Sequence, residues 1–310
     1  MIIGYPAAGK TLLAKSFELL GYHRLNRDNI GCKLDGLVDH LNRQYNLNGI
    51  EKFVMDNTYS TALSRKSVLD WAHENKFDVD CKWIDLSVGD AIYNASKKMI
   101  ETYGRLLIPE EIKKDTSFYP PVVIYKYRKV FEAPTPHEGF HHIRKIRFSR
   151  KLDKTKYKNK ALILDYDGTL RTTKSGEVYP KSPEDVKLLP SRKEILAKYK
   201  NEGFLLLGVS NQASIAKKDL TINHAKECFD KTNELLGVNI DYKFCPHRSY
   251  PQVCYCRKPM PGFGVEFIEK YKLNPSKCIM VGDMKSDTTF AERCGFRYIP
   301  ATTFFKKKLK

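Results

Sequence analysis

Two α/β domains in series, each a parallel sheet wound on both faces by helices, are predicted by three observations. Short apolar runs alternate with amphipathic stretches in both halves of the 310-residue chain, the pattern of a parallel sheet covered by helices. Residues 149–160 interrupt that alternation with a charge run that has no apolar periodicity. Reactive residues stand at the carboxyl ends of apolar runs, where open α/β sheets place their ligands. The length suits two ordinary domains, each able to bury a core. The expected division is 1–150, a basic linker at 151–160, and 161–310.

Taken in order, Met1-Ile2-Ile3 reads as the end of a strand, and Lys10 to Leu20 as a helix with Leu12, Leu13, Phe17 and Leu20 on one face. Between them Gly4-Tyr5-Pro6-Ala7-Ala8-Gly9-Lys10-Thr11 is a P-loop in the strand and helix context the motif requires. Its backbone N–H groups cradle the phosphates of a nucleotide, the lysine adds charge and the threonine hydroxyl holds Mg²⁺. Phe53 to Met55 and Val79 to Leu86 read as strands, with a helix from Ala62 to His73 between them. Beyond the linker, Ala161 to Leu164 is a buried strand ending at Asp165, Phe204 to Val209 a strand ending at Ser210, and Cys278 to Val281 a strand ending at Gly282-Asp283.

The net charge of +18 points to a polyanionic partner. Its placement is uneven. Residues 1–150 hold 23 basic against 18 acidic side chains, whereas residues 151–160 and 306–310 each carry +4. Such short basic segments are also common as plain solvated linkers and tails; the tail, Lys306 to Lys310, also reads as a localisation signal. No stretch approaches the ~18 apolar residues needed to span a bilayer, and Met1 runs straight into strand and loop, so neither a membrane segment nor a signal peptide is expected. Eight cysteines, three of them clustered, do not resemble a secreted disulfide framework. A reducing intracellular compartment, nucleus or cytoplasm, is expected.

The second half carries Asp165-x-Asp167-Gly-Thr-Leu, Ser210, Lys258 and Gly282-Asp283-x-x-x-Asp287 in that order. This order resembles the four motifs of the haloacid-dehalogenase phosphatase superfamily. The resemblance implies Mg²⁺ held by Asp165, Asp283, Asp287 and the Asp167 carbonyl. It makes Asp165 the nucleophile and Asp167 the acid and then base, with Ser210 and Lys258 on the phosphate oxygens. Acidic loop residues capping helices would explain any one of these but hardly the set. The stretch from Arg171 through Tyr179-Pro180, with Asp185 to Leu188, resembles polynucleotide 3′-phosphatases. Cys245-Pro-His247 and Cys254-Tyr-Cys256, six residues apart, form a Cys₃His set of the closed structural Zn²⁺ type. They resemble the zinc loop, here 245–256, of histidinol-phosphate and heptose-bisphosphate phosphatases.

The first half resembles the kinase domain of polynucleotide kinase/phosphatase. The resemblance runs through Tyr22 to Asp28, Met55 to Thr58, Ser64-Arg65, Tyr125 to Lys129, Phe131 to Thr135 and Glu138 to Phe140. It implies ATP as phosphate donor at Gly4, Gly9, Lys10 and Thr11, Asp28 as general base, Asp56 on the acceptor and metal side, and Arg65 as a phosphate contact. Asp28 also stands where an aspartate caps a helix. Family kinases carry lid arginines; here Ala91 to Met99 has Ser96, Lys97 and Lys98, so Lys97, Lys98 or Arg105 substitutes or the kinase is slow. Together these imply an end-healing enzyme acting on DNA or RNA strand ends, with a ligase as a compatible partner. The alternatives are a sugar-phosphate phosphatase fused to a nucleotide kinase, and an end-binding module with a degenerate kinase.

Overall fold

The computed structural model describes residues 1–306; of the basic tail, 307–310 lie outside the described residues. The chain divides into two compact units, the first made of Met1–Asn94 and Val122–Arg150, the second of Ala95–Pro121 and 151–306. Residues 95–121, expected in the first domain, pack with the second unit, where Tyr255 donates through its hydroxyl to the Tyr119 carbonyl at 2.9 Å and Leu106 lies against Gly262. The helix Val88–Tyr103 runs across the division.

In unit 1 the strands are Ile2–Gly4 (β1), His23–Leu25 (β2), Phe53–Met55 (β3), Asp80–Asp85 (β4) and His142–Arg147 (β5). All pairings are parallel, and a bridge between Ile2 and Asp56 joins the two ladders in the order β2-β3-β1-β4-β5. The helix after the P-loop, Lys10–Glu18, does not use the expected face: Leu12 and Leu20 are exposed, while Lys10 and Ala14 are buried beside half-buried Leu13 and Phe17. Positions 10, 13, 14 and 17 keep helical spacing, and the small Ala14 lets the helix seat closely on the sheet. Helix Ala62–Glu74 starts at a capping box, in which Thr61 Oγ1 accepts from Ser64 N while Ser64 Oγ accepts from Thr61 N.

In unit 2 the strands are Ala161–Leu164 (β6), Arg171–Thr173 (β7), Val186–Leu188 (β8), Leu205–Asn211 (β9), Asp241–Cys245 (β10), Ile279–Gly282 (β11) and Arg297–Pro300 (β12). Five of them form a parallel sheet in the order β10-β9-β6-β11-β12, and β7 and β8 form a separate antiparallel hairpin. β6 is buried at all four residues, as a central strand covered on both faces must be. Leu162, Leu164, Tyr166, Leu196, Phe229 and Val281 belong to the core beneath it, each such burial contributing roughly 1.5–3 kcal/mol. Chain order reverses on either side of β6, so the crevice beyond its carboxyl end is the place for a ligand. Among the described residues no helix is long and apolar enough to cross a membrane.

Candidate active site

Four strand ends of unit 2 converge on that crevice. Asp165 follows β6, Ser210 lies near the end of β9, the loop after β10 carries Lys258, and Asp283 follows β11. Lys258 Nζ stands 2.6 Å from Asp165 Oδ1 and 2.7 Å from Asp287 Oδ1, all three groups nearly solvent-free. Burial pushes the Asp165 carboxyl upward; Lys258 opposes this, and Asp287 and Asp167 reinforce it. Burial alone would lower the Lys258 ammonium, but Asp165 and Asp287 outweigh it and hold it raised. Burial and then Asp287 also raise Asp283. Oxygens of Asp165, Asp283 and Asp287 lie within 4.8 Å of one another. Three crowded carboxylates against one ammonium leave excess negative charge, the environment that a hard divalent cation with oxygen ligands neutralises.

Two glycines make this crowding sterically feasible. A Cβ on Gly168, whose φ is +78°, would stand 2.3 Å from Asp283 Oδ2, and one on Gly282 would stand 2.2 Å from Asp287 Oδ2.

Asp167 faces away from the lysine. Its Oδ1 accepts from Arg171 Nε at 2.8 Å and its Oδ2 from Gln212 Nε2 at 2.7 Å. Arg171 is almost fully buried; it also donates to Thr232 Oγ1 at 3.0 Å and lies over the Phe229 ring at 4.5 Å. Gln212 reaches Ser210 Oγ at 3.0 Å. Asn211 holds the lysine's backbone on both sides, accepting from Lys258 N at 2.9 Å and donating to Lys258 O at 3.0 Å. Sequence reasoning assigned no role to Gln212 or Asn211, and treated Arg171 only as part of a resembling stretch. The one signal for the first two is adjacency to Ser210.

Cys245, His247, Cys254 and Cys256 also assemble, their ligand atoms within 4.8 Å of one another. Sγ of Cys245 is 3.4 Å from His247 Nδ1 and 3.8 Å from Cys254 Sγ, and His247 Nδ1 is 3.2 Å from Cys256 Sγ. In a tetrahedral zinc site with bonds of about 2.3 Å to sulfur and 2.0–2.1 Å to nitrogen, ligand-to-ligand edges are about 3.3–3.8 Å. The donor set and its spacing therefore fit zinc. The loop leads directly to Lys258, and Arg257 Nη1 donates to His247 O at 3.2 Å. A cleft of about 560 Å³ opens over the carboxylates; Arg248, Arg257, Val178 and Met284 line it beside Asp165 and Lys258.

In unit 1 the expected P-loop, Gly4 to Thr11, lies between β1 and the helix Lys10–Glu18. Gly4 lies so close to β4 that a Cβ would stand 2.9 Å from Ile84 O, and Asn94 Nδ2 donates to Ala7 O at 3.0 Å. Lys10 Nζ donates to its own loop, to Gly4 O at 2.9 Å and Tyr5 O at 2.8 Å. Burial lowers it to about 8, against the pull of Asp56 and Asp28. Asp56 Oδ2 accepts from Thr11 Oγ1 at 3.0 Å and from Arg24 Nε and Nη2 at 3.0 and 2.6 Å, which brings the expected acceptor-side acid to the P-loop threonine.

Asp28 is 80 % exposed, its only ion pair being with Arg27 at 3.3 Å among the described residues. It is not a cap: Asn26 caps the short helix Arg27–Ile30, accepting from Asp28 N and Asn29 N. Arg65 is a correction. Its guanidinium is wholly buried, donating to Glu138 Oε2 and Oε1 at 2.5 and 2.9 Å, to Glu132 O at 3.0 Å and to Tyr59 O at 3.2 Å. It braces the loop Phe131 to Glu138 and presents no surface to a phosphate. The substitute lid cations are also committed. Lys98 donates to Ser117 O at 3.0 Å, Arg105 forks onto Glu111 at 2.8 and 2.6 Å, and Lys97 lies 3.6 Å from Glu101.

Comparison with known proteins bears on unit 2. Residues 160–305 match the family model "Polynucleotide kinase 3 phosphatase". A probable D-glycero-D-manno-heptose-1,7-bisphosphate 7-phosphatase of Thermoplasma volcanium is 34% identical over 139 residues, covering 43% of this chain and 92% of the relative. The Haemophilus influenzae D-glycero-beta-D-manno-heptose-1,7-bisphosphate 7-phosphatase is 32% identical, covering 42% and 73%. Among solved structures, the Pnkp1/Rnl/Hen1 RNA repair complex contains a chain 15% identical with a TM-score of 0.32, covering 96% of this chain and 94% of that one. The D,D-heptose 1,7-bisphosphate phosphatase of B. bronchiseptica, solved with magnesium and phosphate, is 24% identical with a TM-score of 0.40, covering 45% and 78%. Through residues 160–305 the chain belongs to the phosphatases of the haloacid-dehalogenase type.

Proposed function

We propose that the chain heals broken nucleic-acid ends, with unit 2 removing a 3′-phosphate and unit 1 moving the γ-phosphoryl group of ATP to a 5′-hydroxyl. The observation that carries this reading is the mixed character of the unit 2 cleft. Arg248 and Arg257 offer charge, while Val178 and Met284, 87 % and 61 % exposed, offer apolar surface beside the same carboxylates. A 3′-phosphorylated strand end presents a planar base and further phosphates together. A sugar bisphosphate presents phosphates and hydroxyls with no planar aromatic base. The P-loop on the same chain supplies the complementary chemistry, and the product, a 5′-phosphate facing a 3′-hydroxyl, is what a ligase joins.

In unit 2, Asp165 attacks the phosphorus, the bond to the leaving oxygen breaks, and Asp167 gives that oxygen its proton. Water then attacks the aspartyl-phosphate, Asp167 takes the water's proton, and phosphate departs with Asp165 restored. Ser210 and Lys258 hold the phosphate oxygens. Mg²⁺, which phosphatases of this type use, would be held by Asp165, Asp283 and the Asp167 carbonyl, with Asp287 close by, and would neutralise charge between carboxylate and phosphate. Cys245, His247, Cys254 and Cys256 would hold a structural zinc, which would fix the loop before Lys258. In unit 1, Asp28 accepts the proton of the 5′-hydroxyl, Gly4, Gly9, Lys10 and Thr11 bind ATP, and Thr11 and Asp56 would hold the Mg²⁺ that neutralises its phosphates.

The test is a duplex with a one-nucleotide gap bearing 5′-hydroxyl and 3′-phosphate, offered beside heptose 1,7-bisphosphate. Release of phosphate from the duplex at a kcat/KM at least about tenfold higher is expected. The reverse preference would favour the second reading, a sugar-phosphate phosphatase, which the heptose-phosphatase relatives support.

Arg171 is a positioning residue for Asp167, and Arg171→Met tests that role. An alkoxide leaving group needs the proton from Asp167, whereas p-nitrophenolate leaves without one. The variant is therefore expected to lose about 10²-fold or more on a 3′-phosphorylated strand and far less on p-nitrophenyl phosphate. Equal losses on both would mean that Arg171 only supports the fold.

A further inference from the structure

At the strand-start end of the unit 1 sheet, opposite the P-loop, three ligating side chains converge. Asp80 opens β4 and His142 opens β5, directly across the ladder, with His141 just before it. Nδ1 of His142 lies 3.3 Å from Asp80 Oδ1 and Nδ1 of His141 3.8 Å from the same oxygen. All three ligand atoms lie within 4.8 Å of one another, and the two imidazole rings are 4.0 Å apart. Successive residues of a strand send their side chains to opposite faces; here both imidazoles turn to one carboxylate.

Asp80 is held for this geometry. Its Oδ2 is taken by Lys82 Nζ at 3.2 Å, and its carbonyl accepts from the Met1 amino group at 2.7 Å. That leaves Oδ1 to face the histidines. An ordinary ion pair explains the arrangement less well. Charge-assisted hydrogen bonds of this kind close to about 2.7–2.9 Å, and here two imidazoles set edge to face share one carboxylate oxygen at longer range. Two ligands of one tetrahedral ion with bonds of about 2.0–2.1 Å stand about 3.3–3.4 Å apart; the His142–Asp80 separation of 3.3 Å matches this, and a small turn of the exposed His141 side chain, now at 3.8 Å, would bring it to the same distance. Asp80 and His141 also line a cavity of about 400 Å³, which leaves room for water to complete the coordination.

We propose that Asp80, His141 and His142 bind one divalent transition-metal ion, clamping the starts of β4 and β5. Two imidazoles and one carboxylate select Zn²⁺, Co²⁺ or Ni²⁺ over Mg²⁺ and Ca²⁺, which take oxygen ligands. The inference is independent of the end-healing reading, since none of the three residues belongs to either phosphate site.

The experiment titrates Zn²⁺ by calorimetry into the full chain, already carrying tightly held zinc and kept in excess Mg²⁺ so that the carboxylate site is occupied. One further equivalent is expected, together with a rise in the thermal midpoint. In the His141→Ala/His142→Ala double variant, whose substitutions fall on exposed side chains and leave the fold intact, affinity should drop at least about tenfold and the thermal shift should vanish. Asp80→Asn should weaken uptake, and Cys256→Ser should leave this equivalent in place. No further equivalent in the unsubstituted chain, or unchanged uptake in the double variant, would overturn the site.

Discussion

Asp165→Asn is expected to abolish release of phosphate from a 3′-phosphorylated strand, by about 10³-fold or more, while 5′ phosphorylation by the same preparation continues at its normal rate. The size follows from what the carboxylate does. An amide cannot form the acyl-phosphate, and it supplies no charge to a divalent cation. The substitution also keeps the side chain's shape, and Lys258 retains its 2.7 Å partner Asp287, so the loss should come without unfolding. Phosphate release against time, with the thermal midpoint measured in parallel, separates the two effects. Activity within about tenfold of the unsubstituted chain would remove Asp165 from the role of nucleophile.

Lys10→Ala is the reciprocal case. The ammonium occupies two carbonyls of its own loop, at 2.9 and 2.8 Å, and in the kinase reading it leaves them for the nucleotide phosphates. Removing it deletes a preorganised positive charge, and the expected loss in transfer of labelled γ-phosphate to a 5′-hydroxyl oligonucleotide is about 10²–10³-fold. Release of 3′-phosphate should be unchanged. Loss of both activities in either variant would contradict two independent sites. Normal ATP binding in the unsubstituted chain without any transfer would leave unit 1 as an end-binding module, the reading that the committed Lys97, Lys98 and Arg105 side chains favour.

Unit 2 was more legible in the sequence than unit 1, and the reason is local. Asp165, Ser210 and Asp283 are read by where an apolar strand stops, and the Cys₃His cluster by spacing within twelve residues. What escaped depends on partners that spacing does not reveal. Arg171 points to Asp167 rather than to solvent because Phe229 and Thr232, about sixty residues on, form its pocket. Arg65 carries the residue type expected of a phosphate contact, yet Glu138, 73 residues away, captures it. The face of helix Lys10–Glu18 was misassigned because leucines outrank Ala14 in any hydrophobic count, whereas close packing chose the small residue. Residues 95–121 read as part of the first domain because chain continuity is visible in a sequence and the Tyr119–Tyr255 contact is not.

The carboxylate cluster owes its density to two side chains that are missing. Asp283 occupies the volume a methyl group would fill at position 168, and Asp287 the volume one would fill at 282. These glycines lie in different motifs, more than a hundred residues apart, yet each sets how near an acidic group of unit 2 can come to the Asp165 end of the sheet. Alanine at either would leave every charged residue in place and still spread the charges apart. The carboxylate cluster of unit 2 therefore depends on two positions that contribute no functional group, and a search that looks only for reactive atoms would pass over both.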